Sequence, residues 1–119
     1  MIRLAWLLLG LIHALPAIAL IRPSLLTTLY GVDPTSPAYT LLWHRAALFA
    51  VVLLICCWAA FRPEVRRLAA VAVAISMVGF LMIFWIQGMP ANLQAIAIAD
   101  AIGLPILAFA GWSAFRRAA

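Results

Sequence analysis

Residues Ala38–Phe61 read AYTLLWHRAALFAVVLLICCWAAF, an apolar run interrupted only by His44 and Arg45. A helix needs about 20 such residues to cross a hydrocarbon core about 30 Å thick. The run is continuous, not alternating, so it does not fit a strand of a membrane barrel. Three further stretches have the same character: Leu4–Ile21, Val65–Ile86 and Leu93–Phe115. Together they predict an all-α, four-transmembrane-helix bundle forming one integral membrane domain over residues 1–119.

Composition supports this from the opposite direction. Of 119 residues, 69% are hydrophobic and 9% charged, and the mean hydropathy is +1.19. A soluble domain carries about 25% charged residues, so this chain cannot coat itself for water. Two cysteines do not make a disulfide scaffold, and such apolarity excludes disorder. The net charge of +5 is grouped at the ends of the runs. Arg3, then Arg62, Arg66 and Arg67, then Arg116 and Arg117 all fall on one side of a four-crossing chain. The other side holds Arg22 with Asp33 and an uncharged Gln87–Gln94 turn. The positive-inside rule then puts both termini in the cytoplasm. The expected partner is the lipid bilayer and not nucleic acid. Trp6, Trp58 and Trp112 near one face, and Trp43 and Trp85 near the other, suit interfacial anchoring.

The first run also carries a signal-like pattern, with basic Arg3, an apolar core and Ala17-Ile18-Ala19. It is read here as a retained first helix. Between helices one and two, Ser24 is expected to cap a short interfacial helix that Gly31 stops in a left-handed conformation. Ser36 and Pro37 have the pattern of an N-cap followed by proline at the first helical position. This outer segment is either a lid or a plain connector.

Ionisable residues inside spanning helices are costly and mark pairing or function. His13, Arg45 and Asp100 each stand eight residues from an expected outer helix end (Ile21, Pro37 and Asn92), about 12 Å at 1.5 Å per residue. Three helices thus place polar groups at one level. The simplest arrangement pairs Arg45 with Asp100 through two hydrogen bonds, with His13 at the edge. His44 points about 100° away from Arg45, toward the interface. Ser76 in helix three and Tyr39 at the outer mouth complete a candidate ligand-binding set of His13, Arg45, Asp100, Ser76 and Tyr39. Thr27, Thr28, Tyr30, Gln87, Asn92 and Gln94 would line the same mouth, while Leu7, Leu8, Ile55, Trp58, Leu68, Val71, Leu107 and Phe109 would fill the opposite half. Gly10, Pro16, Gly79, Gly103 and Pro105 allow close approach or free a carbonyl near that level.

No Cys-x-x-Cys, phosphate loop, nucleophile elbow or carboxylate cluster is present, so no metal site is expected; adjacent Cys56 and Cys57 suit apolar filling. The residues Tyr30-Gly31-Val32-Asp33, Trp43-His44-Arg45-Ala46-Ala47-Leu48-Phe49, Phe61-Arg62-Pro63 and Asp100 resemble the small four-helix DoxX-like proteins of bacterial inner membranes. That resemblance implies an inner-membrane location and a link to quinone-coupled chemistry in some members. Small multidrug-resistance transporters are less similar, because His13 stands where their helix-one glutamate would be. Three functional readings stay open. One is binding of a small lipophilic or amphipathic molecule, with quinone as the cofactor to consider. The second is a membrane enzyme using His13 and Asp100 as acid and base. The third is a dimeric proton-coupled exporter, and homo-oligomerisation is left open.

Overall fold

The computed structural model describes residues 1–116, and Arg117, counted above for orientation, lies outside them. Among the described residues the chain is helical, with five α-helices and no strand. They are α1 (Ile2–Ile18), α2 (Ser24–Tyr30), α3 (Pro37–Phe61), α4 (Arg66–Ile86) and α5 (Gln94–Arg116), with 3-10 turns at Pro63–Val65 and Ala91–Leu93. Three of them, α3, α4 and α5, are long and apolar enough to cross a membrane. The chain is a membrane protein by this measure, and α1, with 17 residues, is the exception to the expected four long helices. It ends at Ile18 instead of Ile21. Hydrogen bonds from Leu20 to Ala17 and from Ile21 and Arg22 to Ile18 nevertheless carry bonded backbone on to Arg22. No water is needed to satisfy those amides, which is the condition for backbone at membrane depth.

α1 is the axis of the bundle. Ala5, Trp6, Leu9, Gly10, His13, Pro16 and Ala17 recur at three- and four-residue spacing and are all buried. α3 packs on one side of this stripe and α5 on another, while α4 closes against α5 and meets α3 only along a short seam. Gly10 lets α3 approach, since a β-carbon there would stand 3.3 Å from that of Cys56. Near the Pro63 turn the core consists of Trp6, Leu9, Cys56, Ala59, Ala60, Ala69, Ala70, Val73, Met77 and Ala110, with Leu107 beside them. The sequence assigned this half to long side chains, and the structure corrects that. Leu7, Leu8, Trp58, Leu68, Val71 and Phe109 are exposed, and only Leu107 of that set is buried. Lipid solvates long aliphatic chains as well as a protein core does, so small residues take the helix contacts.

The turns obey local chemistry. The Ser36 hydroxyl accepts the Ala38 amide at 3.2 Å, with Pro37 following it in the first turn. Gly31, at φ 64°, stops α2 by donating its amide to Thr27. Ser24 does not cap α2; Pro23 holds the cap position without a side-chain bond, and Ser24 begins the helix. Two hydrogen bonds from Thr35 to Asp33 shape the following turn and hold the exposed Asp33 carboxyl below its usual range. Between α3 and α4 the buried Arg66 donates to the carbonyls of Ala59 at 2.9 Å and Ala60 at 3.5 Å. It thereby satisfies acceptors that the end of α3 leaves open and sets a cation at the negative end of its dipole.

Two glycines separate contact from open space. A β-carbon on Gly103 would overlap the Met77 methyl and lie 2.7 Å from Ile12 Cδ1, whereas one on Gly79 would meet nothing within 4 Å. Gly103→Ala should therefore destabilise by about 1 kcal/mol at most, because the Met77 and Ile12 chain ends must shift but are flexible, and Gly79→Ala should melt at or slightly above the parent. Thermal unfolding in detergent checks this. A Gly103→Ala protein as stable as the parent would show that Met77 and Ile12 yield without cost.

Candidate functional site

The buried stripe of α1 carries His13 inward, with 2% of its surface exposed. Its Nδ1 lies 2.8 Å from the Leu9 carbonyl and its Nε2 3.1 Å from Ser76 Oγ on α4. A carbonyl can only accept, so Nδ1 carries a proton. In the neutral ring Nε2 then accepts the Ser76 hydroxyl proton. Both ring nitrogens are occupied, and His13 joins α1 to α4 while its ring lies against Phe49, with centroids 5.9 Å apart.

Arg45 and Asp100 do not form the expected ion pair. α3 and α5 make few close backbone contacts, and the two side chains face a common cavity without coming within ion-pair distance. The Arg45 guanidinium lies over two rings instead, 5.0 Å from the centroid of Phe49 and 5.6 Å from that of Phe80. These contacts hold the cation without hydrogen-bonding it, so its N–H groups remain for another acceptor. Asp100 is buried on α5, and among the described residues no hydrogen bond reaches its carboxyl.

These groups line one cavity of about 150 Å³, walled by Ile12, His13 and Pro16 of α1, Arg45 and Phe49 of α3, Phe80 of α4, and Ile96 and Asp100 of α5. With α1 ending at Ile18 and α5 beginning at Gln94, His13 and Asp100 lie about 8 and 9 Å from their helix ends rather than about 12 Å. Arg45, His13 and Asp100 still meet around the same space. A groove of about 600 Å³ shares Arg45, Phe49 and Phe80 with the cavity and runs between α3 and α4 along Leu48, Val52, Ile75, Ser76 and Gly79. A mostly apolar pocket with a few convergent polar groups is the usual form of a small-molecule site.

The remaining expectations fall elsewhere. Tyr39 is not in the cavity wall; its hydroxyl donates to the Pro23 carbonyl at 2.9 Å. Ser76 borders the groove and reaches the cavity only through His13. His44 is exposed, and the Trp43 indole donates to the Leu20 carbonyl at 2.9 Å, fastening the turn after α1 to α3. The expected polar mouth does not line the cavity. Leu29 of α2 does, and Leu26 anchors that short helix against Ala19 and Ala46. α2 thus covers one end of the cavity through Leu29. Tyr30, on the same helix, lies near enough to feel both Arg45 and Asp100; burial raises its phenol, Arg45 opposes that, and Asp100 adds to it. Phe49 was readable as the residue one turn beyond Arg45, whereas Phe80 and Leu29 arrive only through tertiary packing.

The histidine geometry makes a direct prediction. Nitrogen-15 spectra of selectively labelled protein at neutral pH should show neutral His13 with its proton on Nδ1. Ser76→Ala should cost about 1–3 kcal/mol by stripping the partner from a buried nitrogen. A proton found on Nε2 of the neutral ring would contradict the assignment. Compared with family models, with curated proteins and with solved structures, the chain matches none.

Proposed function

We propose that this chain is a four-helix integral membrane protein that holds a small lipophilic or amphipathic molecule, a quinone among the candidates, in the cavity between His13, Arg45 and Asp100. One observation carries the reading: a guanidinium and a carboxylate face the same cavity from different helices, neither hydrogen-bonded to a protein group. Leaving both without a hydrogen-bond partner in a low-dielectric interior is costly, and a molecule that accepts from Arg45 removes part of that cost. Arg45 is the anchor for a carbonyl or anionic oxygen, Asp100 the opposing contact, and the Phe49 and Phe80 edges the apolar wall. His13 positions the wall and, with both nitrogens engaged, is poorly placed as a catalytic base. The enzyme reading is correspondingly weaker.

In this proposal α1 spans with its bonded extension to Arg22, and the Arg62–Arg67 turn faces the cytoplasm with both termini. The lid α2 lies at the outer interface of a bacterial inner membrane, as the DoxX-like resemblance implies. A reporter fused after Ala119 should be active only if it works in the cytoplasm; activity of a periplasm-specific reporter would reverse the orientation.

Ligand retention is the functional test. Protein extracted into nanodiscs with native lipid should carry a lipophile enriched over the bulk membrane extract, identified by mass spectrometry. Arg45→Ala should weaken its retention about 10- to 100-fold, the loss of a charge-assisted hydrogen bond. Extracts indistinguishable between parent and Arg45→Ala would overturn the proposal.

A further inference from the structure

Resting on that reading, we infer that the ligand is a single-chain neutral amphiphile whose head sets a carbonyl acceptor beside a hydroxyl donor, and that its chain lies in the groove between α3 and α4. Two independent features carry this. The first is charge. Arg45 offers donors and Asp100 offers acceptor oxygens across one small cavity. An anionic head satisfies Arg45 but is repelled by an ionised Asp100; a cationic head satisfies Asp100 but meets Arg45. A head with a carbonyl for the guanidinium and a hydroxyl for the carboxylate satisfies both at no net charge. A head with only an acceptor leaves Asp100 without a partner.

The second feature is shape. The cavity, at about 150 Å³, holds a head and not a tail. The adjoining groove, about 600 Å³, shares Arg45, Phe49 and Phe80 with it and is otherwise lined almost wholly by aliphatic residues of α3 and α4. Leu48, Ile75 and Ile83 on its rim are exposed on the lipid-facing surface. The lid end is covered by Leu29, so the continuous apolar route runs sideways from the bilayer to Arg45. Gly79 lies in the groove with nothing within 4 Å of where its β-carbon would stand. A β-carbon there meets no other group, which makes this position a probe of the groove.

Four probes with one oleoyl or oleyl chain separate the possibilities: monoolein (hydroxyl and carbonyl), methyl oleate (carbonyl only), oleate (anionic) and oleylamine (cationic). Binding is read by native mass spectrometry of the full chain in nanodiscs, for the parent, Gly79→Leu, Asp100→Asn and Arg45→Ala. Monoolein should bind the parent about tenfold or more tightly than methyl oleate, the discrimination expected when a buried polar group loses its partner. Gly79→Leu should weaken monoolein by at least about tenfold with an unchanged melting temperature, and Asp100→Asn should improve oleate relative to monoolein. Equal binding of all four probes would show an annular lipid seat only and overturn the head assignment. Loss of monoolein in Arg45→Ala but not in Gly79→Leu would overturn the groove and leave the cavity reading standing. If no probe binds while a co-purified lipophile is still retained, the head class is wrong. If neither binds, the cavity reading falls with it.

Discussion

A charged side chain in hydrocarbon must find its counterpart within reach, and here Arg45 and Asp100 face one cavity without closing an ion pair. Much of the interior architecture follows from that separation. The guanidinium settles between the faces of Phe49 and Phe80, which holds it without neutralising it. Those two rings form the common wall of cavity and groove. Had the helices packed so that the ion pair closed, the space would be filled by a salt bridge and the site would be structural. Withheld pairing is what leaves both polar groups facing open space.

The helices that enforce this geometry are held at their ends by backbone acceptors. At one end Tyr39 and Trp43 reach across to Pro23 and Leu20, and Asn92 meets the Tyr30 carbonyl at 3.4 Å. At the other, Arg66 closes the carbonyls of α3. Tyrosine, tryptophan and arginine side chains have long apolar bodies and polar tips, so they bind such acceptors where bilayer and water meet. The middle is left to shape, with alanine and glycine setting how near the helices come.

The legible part of the sequence was whatever depends on segment length and local chemistry. Continuous apolarity marked the long helices, Ser36-Pro37 the start of α3, and Gly31 the end of α2. The shared level of His13, Arg45 and Asp100 also comes from residue counting, although the ends of α1 and α5 lie closer to these groups than the apolar runs imply. What failed was facing and pairing. Hydrophobicity does not tell a lipid-facing leucine from a buried one, so Leu7, Leu8 and Leu68 were placed inside while alanines held the core. The ion pair failed because depth fixes only one coordinate; the order of helices around the bundle sets which groups at that depth can touch. Tyr39 was assigned to the mouth by polarity alone, and its hydroxyl proved to serve the Pro23 carbonyl.

The brevity of α1 has a consequence for the membrane itself. At 17 residues its regular part is about 26 Å long, against about 38 Å for the 25 residues of α3. No single hydrocarbon thickness matches both. Beyond Ile18 the turn carries exposed Leu20 and Ile21, which prolong the apolar surface by a few ångströms; in a bilayer, a long apolar helix beside a shorter one is accommodated by tilting. Hydrophobic mismatch of this kind couples helix tilt to acyl-chain length. Because α3 forms one bank of the groove that leads to Arg45, any change in its tilt against α4 would change the width of that groove.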